Sequence, residues 1–213
     1  MPSRNERARR RLAYMLLARL QLRRFLRSHE PRTVLAIAAA INGAISMLLL
    51  ALVAVLTDAP FIFPSAGASA FILFYRPLVE AASPRNTLVS HFLGVLAGWL
   101  SLVVFGLLDT GTAFEMSADW RRIGAVALAV GLTCGCMVRL RVSHPPAAAT
   151  SLVVAMGLMP SLTQLPWLMA GVALLVLQAF CMHRFAGVHY PFWSPHEEDD
   201  IRDVYGVRRG ERR

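Results

Sequence analysis

The chain has 213 residues, of which 56 % are hydrophobic and only 16 % are charged, and its mean hydropathy is positive. This composition lies outside the usual range of soluble globular domains and indicates a membrane protein. The formal net charge is +9, but the arginines concentrate near the two ends, so we expect no nucleic-acid partner. The 3 cysteines lie inside apolar blocks, where a thiol usually packs as a small side chain, so we expect neither a disulfide nor a metal.

The N-terminal segment, residues 1–32, is basic and amphipathic. Apolar side chains recur at a helical spacing between its arginines, as at Leu12, Leu16 and Leu20. This pattern predicts an interfacial helix on the anionic cytoplasmic leaflet. We do not expect a signal peptide, because the first apolar block begins only near Thr33, shows no evident cleavage site and is long enough to span a bilayer.

Four long apolar blocks predict transmembrane helices, and two shorter, proline-containing stretches lie between them. The long blocks are 33–56, 87–108, 123–140 and 165–182, and the short stretches are 61–75 and 145–159. Counting all of them gives six crossings. The predicted fold class is therefore an all-α, polytopic transmembrane bundle with four long and two short Pro-led helices.

The loop arginines test this number of crossings, because they should alternate between the two sides of the membrane. Six crossings satisfy the rule with one exception, Arg121 and Arg122, which fall on the predicted outer side. A four-span alternative with both short stretches re-entrant places Arg76 and Arg85 outside. The rule therefore favours six crossings, with both termini, including the polar tail 184–213, in the cytoplasm.

The predicted transmembrane domain, residues 33–183, divides into two halves of the same plan. Residues 33–108 and 121–183 each read as a long, a short and a long helix, and the short ones align when Pro64 is placed over Pro145. Each half makes an odd number of crossings, so the second half is expected to be inverted relative to the first. Inverted repeats with interrupted helices are common among transporters.

The prolines of the short stretches suggest where a ligand binds. A proline in the first helical turn leaves the following N–H groups pointing beyond the helix end, and such ends attract anions. The next residues are small, and Ser65, Ser69, Thr150 and Ser151 carry hydroxyl donors. The alternative is that the small residues only pack helices together and the hydroxyls bond to their own helix.

The types of side chain that the apolar blocks lack narrow the class of substrate further. The apolar blocks hold no acidic or basic residue at mid-depth, and the ionisable group well placed near a span is His91. Proton pumps and cation carriers usually need such groups, so their absence favours an anion. No phosphate-binding loop, zinc-type pair or nucleophile elbow is present, so we expect no enzyme activity, no catalytic residue and no cofactor.

Two further polar residues flank the predicted helices. His144 precedes the Pro-Pro pair, and a histidine at that place is expected to bond to a carbonyl, to cap the helix or to offer a donor to an anion. Asn86 follows Arg85 and is expected to cap the next helix.

The run His144-Pro145-Pro146, followed by residues 147–150, resembles the signature of the HPP family of integral membrane proteins. The likeness extends to residues 63–70, 83–86 and 190–193. Ala66 and Ala148 depart from the family pattern by small substitutions that should preserve close helix approach. Plant and cyanobacterial members are implicated in nitrite transport, so the resemblance implies a channel or carrier for a small monovalent anion, with nitrite as the leading candidate.

We therefore expect a transport protein of the bacterial inner membrane whose partners are the lipid bilayer, a small inorganic anion and, in a bundle this small, further copies of the chain. The candidate substrate-binding residues are Pro64, Ser65, Ala66, Gly67, Ala68, Ser69, Arg85, Asn86, His91, His144, Pro145, Pro146, Ala147 and Thr150. The alternative function is a non-transporting membrane scaffold or sensor that recruits a cytosolic partner.

Overall fold

The computed structural model describes residues 31–115, 119–159, 161–185, 188 and 190–195. These residues form the helices α1 (Pro31–Thr57), α2 (Pro64–Tyr75), α3 (Pro84–Val104), α4 (Trp120–Arg139), α5 (Pro146–Ala155) and α6 (Leu165–Phe185), with a short 3-10 turn at Glu80–Ala82 before α3. The predicted all-α fold class is confirmed. The predicted interfacial helix in 1–32 lies almost entirely outside the described residues, as does most of the tail 184–213.

Four of these helices are long and apolar enough to cross a membrane, namely α1, α3, α4 and α6. The other two, α2 and α5, contain 12 and 10 residues. At a rise of about 1.5 Å per residue they are roughly 18 and 15 Å long, well short of a hydrocarbon core of about 30 Å. The predicted pattern of four long and two short helices is therefore present.

Local chemistry sets where α3 begins. Pro84 takes a position in its first turn, and the hydroxyl of the preceding Ser83 accepts a hydrogen bond from the backbone N–H of Asn86 at 3.3 Å. The expectation that Asn86 caps this helix is wrong, because proline favours the first helical position and leaves the cap to the residue before it. The Asn86 side chain instead donates to the Glu80 carboxylate at 3.3 Å.

The centre of the bundle is α3, which packs against α4, α5 and α6. Two glycines bring α5 unusually close to it. A Cβ atom on Gly94 would lie 2.5 Å from the carbonyl oxygen of Ala147, and one on Gly98 would lie 2.7 Å from the Cβ of Val154. Glycines four residues apart are a common contact surface between membrane helices. The order of these contacts also shows that α3 and α5 run in the same direction.

The two short helices run in opposite directions. Ser65, near the start of α2, bonds to Thr150 within α5, whereas Ser69, one turn further along α2, bonds to His144 before α5 begins. The packing of the helices shows the same symmetry. If α1, α2 and α3 exchange places with α4, α5 and α6 respectively, every pair of packed helices becomes another pair that also packs. Both observations support the predicted inverted repeat.

The exception to the arginine pattern has a structural role. Arg122 is only 6 % exposed, and its guanidinium donates to the carbonyl oxygen of Ala155 at 3.1 Å, the carbonyl oxygen of Gly111 at 2.7 Å and the hydroxyl of Thr110 at 2.9 Å. It therefore satisfies a carbonyl at the C-terminal end of α5, where a positive charge is favourable. Arg121 beside it is exposed and pairs with Asp119 at 3.3 Å.

Candidate functional site

Five polar side chains from α2, α3, α5 and the turn before α5 form one connected hydrogen-bond network, which we call the hydroxyl-histidine cluster. Its members are Ser65, Ser69, His91, His144 and Thr150. Each is at most 1 % exposed. Since His91 lies seven residues after the first residue of α3, the cluster sits roughly 10 Å along that helix. The cluster is therefore placed within the bundle rather than at its surface.

The imidazole of His91 lies at the centre of the cluster. Its Nδ1 atom is 2.7 Å from the hydroxyl oxygen of Thr150, and its Nε2 atom is 2.9 Å from that of Ser69. Ser69 and Thr150 each lie five residues after the aligned prolines, Pro64 and Pro145. Each half of the proposed repeat thus contributes one hydroxyl, from the equivalent position, to the same ring.

The second imidazole, His144, fixes the direction of the hydrogen bonds. Its Nδ1 atom lies 2.6 Å from the carbonyl oxygen of Ala81 and 3.4 Å from the Thr87 hydroxyl, and its Nε2 atom lies 2.9 Å from the Ser69 hydroxyl. A carbonyl oxygen only accepts, so Nδ1 carries the hydrogen of the neutral ring and Nε2 must accept one from Ser69. The predicted bond from His144 to a carbonyl is confirmed.

The rest of the network follows from this assignment when both rings are neutral. Ser69 gives its single hydrogen to His144, so it accepts one from Nε2 of His91, and Nδ1 of His91 then accepts from Thr150. Thr150 in turn accepts from Ser65, whose hydroxyl oxygen is 2.6 Å away. All the hydrogen bonds therefore point the same way, from Ser65 toward the carbonyl beside His144.

Helix-end amides predicted to bind an anion are already bonded in this conformation. The N–H of Ala66 donates to the carbonyl of Phe63 at 3.0 Å, and the N–H of Ala147 donates to the carbonyl of His144 at 3.0 Å. Both alanines are completely buried beside the cluster. The donors that remain adjustable here are the hydroxyls, because a hydroxyl hydrogen can rotate and an amide hydrogen cannot.

The other candidate residues surround the cluster or face away from it. Pro146 is buried at the start of α5, and Asn86 is buried but bonds to Glu80 rather than to the cluster. Arg85 is half-buried, and its backbone N–H donates to the carbonyl of Trp193 at 3.0 Å. The candidates that lie exposed on the surface of the bundle are Pro64, Gly67, Ala68 and Pro145.

Several residues that shape the cluster were not singled out from the sequence. Thr87 lies four residues before His91, so helical periodicity places both on one face, and this signal was available. The glycine pair Gly94 and Gly98 was likewise visible as a small-residue motif. The carbonyl of Ala81 had no such signal, since every residue carries a carbonyl and only the fold decides which one a histidine meets.

Comparison with known proteins identifies the family to which this sequence is similar. The family model described as "HPP, transmembrane region" matches residues 28–191. One Dictyostelium discoideum protein, described only as a transmembrane protein, is 38 % identical over 93 residues, which cover 44 % of this chain and 29 % of that protein. A second transmembrane protein of that organism is 31 % identical over 121 residues, covering 55 % and 36 %.

The chain thus spans about a third of the length of these relatives. No solved structure matches. The family match extends over more than half of the chain and includes every residue of the hydroxyl-histidine cluster. The protein is therefore a member of the HPP family of integral membrane proteins.

Proposed function

We propose that this protein transports a small monovalent anion across a membrane, with nitrite as the leading candidate, and that it has no enzymatic role. The observation that carries the proposal is the 2.6 Å hydrogen bond between Ser65 and Thr150, where the two Pro-led helices meet. If α2 and α5 separate slightly, this bond opens and leaves room for an anion between two hydroxyls. The family resemblance supplies nitrite as the candidate.

The surroundings of that bond suit an anion better than a cation. Ser65 lies in the first turn of α2 and Thr150 in the N-terminal half of α5, and helix N-termini carry partial positive charge. Among the described residues the cluster contains no carboxylate, and the alanines beside it, Ala66 and Ala147, are too small to block a ligand of a few atoms. A cation would meet no compensating negative group at this place.

Basic residues near the predicted cytoplasmic ends of the helices would raise the local anion concentration. Arg85 lies at the start of α3. The exposed Arg139 ends α4 and the exposed Arg141 follows it, both close in sequence to His144. Electrostatic attraction of this kind increases the rate of encounter and weakens with salt. We propose the bacterial inner membrane as its location.

Assembly into a homo-oligomer is also proposed. In the most apolar stretch of α1, only 11 % of the residues are buried within the described bundle, so most of that helix faces lipid or a neighbouring copy. Exposed helix faces of this kind are available for packing between copies in a membrane.

A scaffold or sensor remains the second candidate, and one observation favours it. The cluster hydroxyls are all bonded to one another or to histidine, as expected if they only hold helices together. The two functions differ in their response to anions, because a site binds its ligand and thereby stabilises the folded protein, whereas a scaffold is indifferent.

The test is thermal unfolding of the purified protein with nitrite, nitrate, chloride and formate. Nitrite should raise the unfolding temperature of the wild type in a saturable manner, and Ser65→Ala should abolish the shift. Ser101→Ala is the matched control, because the buried Ser101 hydroxyl bonds to the carbonyl of Ala97 on its own helix, at 2.7 Å. An unfolding temperature that no anion changes would support the scaffold.

A further inference from the structure

We infer that His91 binds one proton for each anion carried, and that this proton turns the Thr150 hydroxyl away from the imidazole and toward the anion. The inference rests on the proposed transport function and adds that a proton gradient drives the transport. The supporting observation is that the hydrogen bonds of the hydroxyl-histidine cluster all run in one donor-to-acceptor direction.

With both rings neutral, the cluster is a poor anion site. The Thr150 hydroxyl donates its only hydrogen to Nδ1 of His91, at 2.7 Å. An anion placed between Ser65 and Thr150 would therefore receive one hydroxyl hydrogen, from Ser65, and would face the lone pairs of Thr150. Anions accept hydrogen bonds and do not donate them, so this arrangement leaves the anion half-solvated and repelled on one side.

A proton on Nδ1 of His91 reverses the bond to Thr150. An imidazolium carries hydrogen on both nitrogens, so Nδ1 now donates and the Thr150 oxygen accepts. The Thr150 hydroxyl keeps its hydrogen, which no longer bonds to His91 and rotates toward the space beside Ser65. Both hydroxyls can then donate to the anion. The new N–H bond forms as an O–H bond of the hydronium ion that delivers the proton breaks and leaves water, and Nε2 continues to donate to Ser69 as before.

Charge balance explains why the two ions should move together. A lone anion or a lone imidazolium in a buried, apolar site has a high desolvation cost, whereas the pair is neutral. The titratable group that faces His91 is His144, with ring centroids 5.0 Å apart. Two imidazolium rings at that distance would repel, so the pair of histidines should hold one proton rather than two.

Three charged or titratable groups on the neighbouring elements have other partners. Arg122 of α4 bonds to the end of α5, His183 of α6 has its Nε2 atom 2.8 Å from the carbonyl of Leu73, and Glu80 of the 3-10 turn accepts from Asn86. None of these contacts supplies a carboxylate to His91. The counter-charge for a proton there is therefore the anion itself.

The experiment uses proteoliposomes containing the full chain in mildly alkaline buffer, with nitrite uptake and internal pH followed together. Valinomycin with equal potassium on both sides clamps the potential at zero while an inward proton gradient is imposed. We expect uptake driven by this gradient, internal acidification by one proton per nitrite, and no response to a potassium-diffusion potential. Protein-free vesicles measure nitrous acid that crosses the bilayer unaided, and their rate is subtracted.

Variants test the switch itself. Thr150→Ser keeps a hydroxyl and should retain proton-driven uptake, whereas Thr150→Val should reduce it to the rate of protein-free vesicles. Thr133→Val is the matched control, because the buried Thr133 hydroxyl bonds to the carbonyl of Ala129 on its own helix. His91→Gln, which cannot take up a proton at neutral pH, should remove the response to the proton gradient.

Three results would overturn the inference, and they differ in what else they imply. Uptake that follows the membrane potential and ignores the proton gradient leaves the transport function intact and removes the coupling. Full proton-driven uptake by Thr150→Val removes the hydroxyl switch. No movement of any anion or proton through the folded wild-type protein removes the transport function as well.

Discussion

Among single residues, Ala81 has an influence that its side chain does not suggest. Its carbonyl oxygen accepts from His144 at 2.6 Å, and this one acceptor sets the position of every hydrogen in the cluster back to Ser65. A neutral imidazole has one hydrogen to place, so fixing it on one nitrogen makes the other an acceptor. The two histidines are consequently expected to be opposite tautomers.

Nitrogen NMR of histidine-labelled protein measures these tautomers directly. We predict that neutral His144 carries its hydrogen on Nδ1 and neutral His91 on Nε2, with signals assigned by His144→Gln and His91→Gln. Replacing Ser69 with alanine removes the hydroxyl between the rings and should disturb the signals of both. Identical tautomers in the two rings would contradict the proposed direction of the network.

Arg122 is the other residue whose contacts have a measurable consequence. Arg122→Met should leave the buried carbonyl of Ala155 without its present donor, and an unsatisfied buried acceptor costs about 1–3 kcal/mol. Arg121→Met removes only an exposed ion pair, which solvent screens, and should change stability much less. Chemical or thermal unfolding of both variants makes the comparison, and equal losses would argue against the buried role of Arg122.

Much of the cluster was predictable from the sequence. Ser65, Ser69 and Thr150 stood out because they follow prolines, and His91 stood out as an ionisable group near a span. It did not reveal that the two histidines share one serine, because contacts between distant segments depend on how α2, α3 and α5 cross. Asn86 was assigned to a cap that Ser83 provides, since residue preference alone does not tell which of two neighbouring polar residues precedes the helix.

Among the helices, the close approach of α3 and α5 matters most, because it holds His91 and Thr150 within bonding distance. We predict that Gly94→Ala destabilises the protein by about 1–3 kcal/mol, the usual cost of overpacking, since the new methyl group would meet a backbone carbonyl that cannot move aside cheaply. Thermal unfolding in detergent measures the loss.

The matched control is Gly131→Ala on α4, where nothing lies within 4 Å of the added Cβ. Alanine favours helix over glycine by up to about 1 kcal/mol, so this variant should be as stable as the wild type or slightly more so. Equal destabilisation by the two substitutions would contradict the account of close packing between α3 and α5.

Helix positions were predictable from hydropathy to within a few residues, and the differences arise at the ends. The third long block was expected from residue 123, but α4 begins at Trp120 because Asp119 accepts from the backbone N–H of Arg122 at 2.8 Å and caps it. The fourth was expected to end at 182 and continues to Phe185. Polar residues at helix ends belong to the helix without being apolar, so a hydropathy window misses them.

For the whole molecule, the arrangement of helices bears on the number of crossings. Six crossings require consecutive helices to run in opposite directions, so α2 should run opposite to α3. The structure agrees with this, because α2 runs opposite to α5, and α5 runs parallel to α3. The alternation supports six crossings, and the sequence could suggest it only through the loop arginines.

Side-specific labelling tests this topology. In a background lacking Cys134, Cys136 and Cys181, we predict that a cysteine replacing Glu115 reacts with a membrane-impermeant maleimide in intact cells. A cysteine replacing Ser143, exposed between α4 and α5, should react only after the membrane is opened. The four-span arrangement predicts the reverse at both positions, so the labelling pattern separates the two.

The proposed transport function requires the hydroxyl-histidine cluster to be an anion site on the transport route. The most direct test is nitrite flux into proteoliposomes, comparing wild type with Thr150→Val and with Thr133→Val. We predict saturable flux in the wild type and in Thr133→Val, and flux no greater than that of protein-free vesicles in Thr150→Val. Undiminished flux in Thr150→Val, or no flux of any anion through folded wild-type protein, would contradict the account.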